Sequence, residues 1–531
     1  MLRSIYRSFA LAVFVAALLI CCGTSFAQDA ASTSASASGF RALHLDASKT
    51  SGQLKSFQGL NGQPSPVMAG LPNLVAQYKA LKIDQVRTHD FMGPTEIDSK
   101  FEMSNPFLKW LLPDDAQRAG VVKAGNAAII FPDPAADPEN PASYNFGPTD
   151  KVLTAIHDSG AEVYYRIGRS FGANINPPAD FDKFASIVAH IARHYNQGWD
   201  HGFHYNIRYW EFWNEPELFW SGTPAQFYSL YDKTARALKA VDPALKVGGD
   251  AKAMASDDGG YREGFIDYCA AHKLPLDFYS WHSYTDFTAD PYDAIRTSRN
   301  IRQILDTHGF PHAESILSEW NLSADFTDVE KAELRGPREA AFIGAVLSYA
   351  QDAPLDHAQF YRGDAAWMGL FDLQGKYFKP ARTFEALGKM EATPNRLAVT
   401  GADTLGFAAI AGRSADSKTI QILVSNYAIP ASFKPRMMQL PADVIASGVP
   451  DFSKMKLLAP RTDIVYKDNA GYNLTIDNLP WAAKKFRVRR YRISATQDLD
   501  LVEDKTATGA TLNISTALPP ESVELIVLDA R

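Results

Sequence analysis

The stretch Tyr209-Trp210-Glu211-Phe212-Trp213-Asn214-Glu215-Pro216-Glu217 decides how the chain is read. It opens on aromatic residues of high strand propensity and closes on a polar Asn-Glu pair before a proline. Proline cannot donate to a sheet ladder, so the strand is expected to end at Pro216, with Glu215 at its C-terminal tip. A later stretch, Ser315-Ile316-Leu317-Ser318-Glu319-Trp320, has the same form: a short apolar strand ending in a glutamate beside an aromatic. Strand tips at the C-terminal face are where (β/α)8 barrels place their chemistry.

Working outward, short strand-like runs alternate with longer helix-like ones. The other strand candidates are residues 57–62, 84–89, 162–167, 246–250, 277–284 and 357–362. Between them, residues 181–195 set Phe184, Ile187, Val188 and Ile191 at helical spacing. Thr223-Pro224 supplies an N-cap followed by proline at the first helical position. These units predict an α/β fold, a (β/α)8 TIM barrel over residues 40–391. Beyond that point the period changes. Residues 407–411, 419–424 and 522–528 are short β runs parted by Gly, Pro and Asn. They predict a C-terminal antiparallel β-sandwich over residues 392–531, to which residues 39–44 could add a strand.

The N-terminus has the form of an export signal over residues 1–27. Arg3 and Arg7 precede an apolar run, and Ser25-Phe26-Ala27 is a small-x-small cleavage site. An Ala/Ser/Thr-rich tract over residues 28–39 follows as a flexible linker. The expectation is an exported protein, periplasmic or extracellular, without stable membrane insertion. Cys269 is the one cysteine outside the signal, so no intramolecular disulfide and no cysteine metal site is expected. The net charge of −7 gives no electrostatic footprint for nucleic acid. Neither a metal nor an organic cofactor is called for. The expected partner is an oligosaccharide or polysaccharide.

That expectation comes from the two glutamates. Two strand-tip carboxylates are what retaining glycoside hydrolysis needs, one as acid/base and one as nucleophile. Glu215 beside Trp213 and Trp220 suits the acid/base, because an apolar surround would raise its pKa. Glu319 suits the nucleophile, which must stay ionised and wants positive or donor neighbours. Arg87 and Tyr284 are the candidates for that support. His89 and His282 stand at strand ends, either as structural histidines or as contacts to sugar hydroxyls. Glu211 lies deeper on the same strand face as Glu215 and reads as a barrel-interior ion-pair partner. Arg166, Arg169 and Arg362 could hold a uronate carboxylate or pair with local aspartates such as Asp364.

On Glu211-Phe212-Trp213-Asn214-Glu215-Pro216, Ser318-Glu319-Trp320 and His282-Ser283-Tyr284, the sequence resembles glycoside hydrolase family 39. The resemblance implies acid/base catalysis by Glu215 after strand four and nucleophilic catalysis by Glu319 after strand seven. It places Asn214 at the sugar 2-hydroxyl and Arg87 and His89 at the floor of the site. His282, Tyr284, Trp320 and Arg362 complete the expected substrate-binding set. The activity so implied is most like a β-xylosidase. The alternatives are an endo-acting hydrolase of a secreted or uronate-containing polysaccharide, and a non-catalytic carbohydrate-binding protein. Two segments depart from the family's β-xylosidases, which tend to carry an acidic pair after strand eight. Here that region reads Phe360-Tyr361-Arg362-Gly363-Asp364-Ala365-Ala366-Trp367, and strand three ends in Arg166-Ile167-Gly168-Arg169.

Overall fold

The computed structural model describes residues 39–530 apart from 67–69, 90, 92, 170–171, 254–259, 286–287, 324–331, 366–367, 430–441, 447–457, 462–468 and 482–483. The expected signal and nearly all of the linker lie outside the described residues. Among the described residues, no helix is long and apolar enough to cross a membrane.

Eight parallel strands close into a barrel: β2 (Gly59–Asn61), β3 (Gln85–Arg87), β4 (Glu162–Ile167), β5 (Tyr209–Phe212), β6 (Lys246–Lys252), β7 (Phe278–Tyr284), β8 (Glu314–Asn321) and β9 (His357–Phe360). β9 pairs back onto β2 through Gly59–Gln359 and Leu60–Phe360, which closes the ring. All eight strand candidates from the sequence are therefore barrel strands, in the expected order. The helix Pro224–Val241 starts as its sequence dictates. Thr223 accepts from the Gln226 backbone, and the Gln226 side chain answers in a capping box. The helix Phe181–Gln197 is capped by Asp180 and stopped by Gly198 at φ 73°. Its face of Phe184, Ile187, Val188 and Ile191 is buried against the barrel.

The second domain is a nine-stranded sheet. Its strands are β1 (Phe40–Gln53), β10 (Asn395–Thr400), β11 (Phe407–Arg413), β12 (Thr419–Asn426), β13 (Gly471–Asp477), β14 (Phe486–Ile493), β15 (Asp498–Ala507), β16 (Leu512–Ala517) and β17 (Ser522–Ala530). The hydrogen-bonded order is β15-β14-β17-β12-β11-β10-β1-β13-β16. The sheet curls on itself, so that Leu43, Leu474 and Ile514 share one core with Ile422, Val488 and Ile526. The two halves thus face each other as a sandwich.

Two expectations are corrected here. The barrel bounds begin too early at residue 40: β1 lies inside the second sheet, antiparallel to β10 and parallel to β13, as the alternative for residues 39–44 has it. The barrel strands begin at Gly59. The reason is non-local: the first strand completes a sheet whose other strands lie more than 300 residues on in sequence. The strand carrying Glu215 also ends earlier than Pro216. β5 stops at Phe212, and residues 213–215 turn away before the short helix Pro216–Phe219.

Candidate active site

The site sits at the C-terminal ends of the barrel strands, and Arg87 is its centre. This fully buried guanidinium donates in four directions: Nε to Glu211 Oε2 at 2.5 Å, Nη1 to Glu319 Oε1 at 2.6 Å, Nη1 to Asn61 Oδ1 at 3.1 Å and Nη2 to Asn214 Oδ1 at 2.7 Å. Burial opposes its charge, but Glu211 and Glu319 outweigh it and hold the guanidinium more firmly protonated than an ordinary arginine. One cation therefore orients three elements at once: Glu211 and Asn214 on and beyond β5, Glu319 on β8, and Asn61 at the tip of β2. Glu211 is the interior ion-pair partner that its position four residues before Glu215 suggests.

Glu319 receives donors on both oxygens. Arg87 reaches Oε1, His89 Nε2 lies 3.3 Å from the same oxygen, and the Tyr284 hydroxyl donates to Oε2 at 2.8 Å. Burial, together with the charge of Glu319, pushes the Tyr284 phenol well above its ordinary value, so it stays a donor. His89 is pushed well below the usual histidine value by burial, with Arg87 and Arg166 adding to the effect, and is a neutral ring. His282 is lowered as well, first by burial and then by Arg87 against the pull of Glu319.

Glu215 follows a sharp turn. Trp213 has φ 68° and Glu215 φ 46°. The Trp213 indole donates to Phe219 O at 2.9 Å and its ring packs edge-on against Trp220. Gly168, at φ 125°, leaves room for it, since a Cβ there would lie 2.7 Å from Trp213 Cε3. With Trp213 turned into the wall, Asn214 faces Arg87 and Glu215 faces the cleft. His282 Nδ1 lies 2.8 Å from Glu215 Oε1 and 3.6 Å from Glu319 Oε2. The Glu215 side chain is 15% exposed against 5% for Glu319, so Glu215 is the carboxyl with more access to solvent.

One atom each of Glu215, His282 and Glu319 all lie within 4.8 Å of one another. So close an approach agrees with a retaining pair, whose carboxyl groups stand roughly 5–5.5 Å apart. The three could also bridge a cation. However, Glu319 already has Arg87 as its counter-charge and Glu215 already has His282 as its hydrogen-bond partner, so the donors present are arranged for proton chemistry.

A solved structure described as a glucosidase from Croceicoccus marinus superposes with a TM-score of 0.79 at 34% identity, over 92% of this chain and 99% of that one. The family model for glycosyl hydrolases family 39 matches residues 152–360, which include both glutamates. The chain belongs to glycosyl hydrolases family 39. A further likeness is a β-xylosidase of Geobacillus stearothermophilus, 31% identical over 219 residues, 37% of this chain and 41% of the relative. The chain thus aligns with about two-fifths of that relative's length. A monomeric β-xylosidase from Caulobacter crescentus shares the fold at 17% identity, with a TM-score of 0.63 over 92% of this chain and 99% of that one.

Within this family-39 site, the structure brings Glu215, Glu319, Asn214, Arg87, His89, His282 and Tyr284 together. Two expected members are corrected. Trp320 faces out of the barrel, because successive side chains of a strand point to opposite faces and Glu319 points in. Its ring is buried between Phe360 and Phe342 of the helix Pro337–Ala350. Arg362 is buried and ion-paired to Asp364 through both Nε and Nη2, while Nη1 donates to the Tyr361 hydroxyl at 3.3 Å. It follows the local-aspartate alternative. Arg169 does the same with Asp98, through Nε at 3.0 Å and Nη2 at 2.8 Å.

Sequence reasoning missed Asn61. Its amide donates to Ser318 O at 2.8 Å and Gln359 O at 3.1 Å while its oxygen takes Arg87, tying β2, β8 and β9 to the centre. The only signal available was a polar residue ending the first strand candidate.

Proposed function

We propose that the chain is an exported retaining glycoside hydrolase that removes a terminal sugar by double displacement, in the manner of a β-xylosidase. The observation that carries this reading is the asymmetry of the two close carboxyls. Glu319 is tied down by Arg87 and Tyr284, whereas Glu215 is more open and touched by a neutral histidine. A fixed, donor-rich carboxylate suits the nucleophile, and an accessible one suits proton exchange with leaving group and water.

In the first step the Glu319 carboxylate attacks the anomeric carbon while Glu215 gives its proton to the departing oxygen. The C–O bond breaks, and a glycosyl ester forms on Glu319. In the second step Glu215, now a carboxylate, takes a proton from water. The water oxygen attacks the anomeric carbon and frees Glu319. Two inversions give net retention. Arg87 keeps Glu319 in line, Tyr284 supports its departing charge in the second step, and Asn214, fixed by Arg87, is placed for the 2-hydroxyl.

A specific observation favours a second sugar. A solved structure 34% identical to this chain is described as a glucosidase, whereas the curated relatives are β-xylosidases. The two sugars differ by the hydroxymethyl group at C5, so aryl β-xylosides and aryl β-glucosides assayed side by side separate them. In that assay Glu319→Ala is expected to be inactive, and azide is expected to rescue Glu215→Ala as the glycosyl azide. Oligosaccharide release from a polymer with silence on every aryl glycoside would replace the terminal-sugar reading with an endo one. Export is tested by expression of the full chain in a bacterial host, where a processed product beginning at Gln28 is expected outside the cytoplasm.

A further inference from the structure

Glu215 holds a backbone conformation that L-residues rarely adopt, φ 46° and ψ 59°, immediately before Pro216. Such a residue persists only where its surroundings impose the geometry. The end of β6 does so from both sides of the proline. Before it, the Glu215 N–H donates to Ala251 O at 3.0 Å. After it, Glu217 Oε1 meets Lys252 Nζ at 3.2 Å. Ala251 is itself left-handed, at φ 57°, and its N–H is held by Ser280 Oγ at 3.0 Å. Two consecutive residues of β6 thus grip the residues flanking Pro216.

The ion pair is shielded from solvent. The Lys252 side chain is 1% exposed and that of Glu217 10%. Neighbouring Asp250 is fully buried, and its carboxyl is pushed well above the usual carboxylate range, first by burial and then by Glu217.

We propose that Lys252 is a positioning residue for Glu215, acting through its buried ion pair with Glu217 to hold the acid/base carboxyl at the angle from which it reaches the leaving oxygen. The role assigned to Lys252 runs through Glu217 and not through contact with the substrate. The inference rests on the reading of Glu215 as the acid/base, and its test keeps the two apart.

An acid/base is needed most when the leaving group is a poor one, because an acidic phenol departs without a proton. Wild type, Glu215→Ala, Lys252→Met and the double variant Lys252→Met/Glu217→Gln are assayed on dinitrophenyl and phenyl β-xylosides, or on the β-glucosides if those are turned over. Counting glycosyl-enzyme by the burst of phenol corrects for any unfolded fraction.

Lys252→Met is expected to lose about 10–100-fold in kcat/KM on the phenyl glycoside and less than about twofold on the dinitrophenyl one. The double variant, which leaves no unpaired charge, is expected to fold like wild type and show the same selective loss, and it decides the matter if the single variant does not fold. A parallel fall on both substrates, or no fall on either, overturns the positioning role. If Glu215→Ala itself shows no leaving-group dependence, the acid/base assignment fails, and the proposal fails with it.

Discussion

At the scale of the residue, the site is one buried cation distributing order among carboxylates. Arg87 pairs with both Glu211 and Glu319, which are essentially sealed from water. Removing one partner of a buried ion pair leaves the other uncompensated, at a cost of about 3–5 kcal/mol. Arg87→Met is therefore expected to be destabilised by about that much in urea unfolding, more than loss of activity alone would require. Tyr284→Phe deletes one neutral donor to Glu319 and keeps the ring. The expected outcome is a fall in kcat of about 10²-fold with unchanged stability, checked by steady-state kinetics beside thermal unfolding.

The histidines of the site give a pH prediction. His89 is neutral in the folded protein and has a folded pKa well below its unfolded value of about 6.5. Its contribution to stability is present above that unfolded value and is lost as pH falls, because the unfolded chain takes up a proton that the folded one refuses. Stability is therefore expected to fall as pH drops below about 6.5. In urea titrations, His89→Gln is expected to show a shallower loss of stability with falling pH than wild type, since other groups contribute equally to both.

At the scale of the element, the turn after β5 matters more than the strand. Trp213 fits because Gly168, following β4, has neither a Cβ nor an ordinary φ. Gly168→Ala would drive a methyl group into the Trp213 ring and strain a left-handed position. Trp213 directly precedes Asn214 and Glu215. The variant is expected to lose activity by about 10-fold or more while its barrel stays folded, with kinetics read against far-ultraviolet circular dichroism.

At the scale of the whole molecule, the barrel and the sheet are bound to each other. Ser425 of β12 donates to Ala341 O at 2.6 Å, Gln421 donates to Lys389 O at 3.0 Å, and the Tyr427 hydroxyl donates to Ala289 O at 2.8 Å. Arg461 pairs with Asp290 through two hydrogen bonds of 2.7 and 2.9 Å, bracing the loop that follows β7 and Tyr284. β1 lies in the middle of the second sheet. Its loss would open two interior edges, of β10 and β13. A chain beginning at residue 54 is expected to aggregate or unfold at lower temperature, although no barrel strand is touched; scanning calorimetry and size-exclusion chromatography check this.

The sequence by itself determined the alternation of strands and helices, the change of period near residue 392, and the placing of Glu215 and Glu319 near the ends of barrel strands. These are local properties: hydrophobic spacing, capping residues and proline act within a few positions of where they stand. Only the tertiary structure decided that β1 joins the far sheet, that Arg362 belongs to Asp364, that Trp320 faces outward, and that Lys252 and Asn61 matter at all. Strand partners and charge partners are chosen among residues tens to hundreds of positions apart. The competition between them is settled by which buried groups the closed barrel brings within hydrogen-bonding reach.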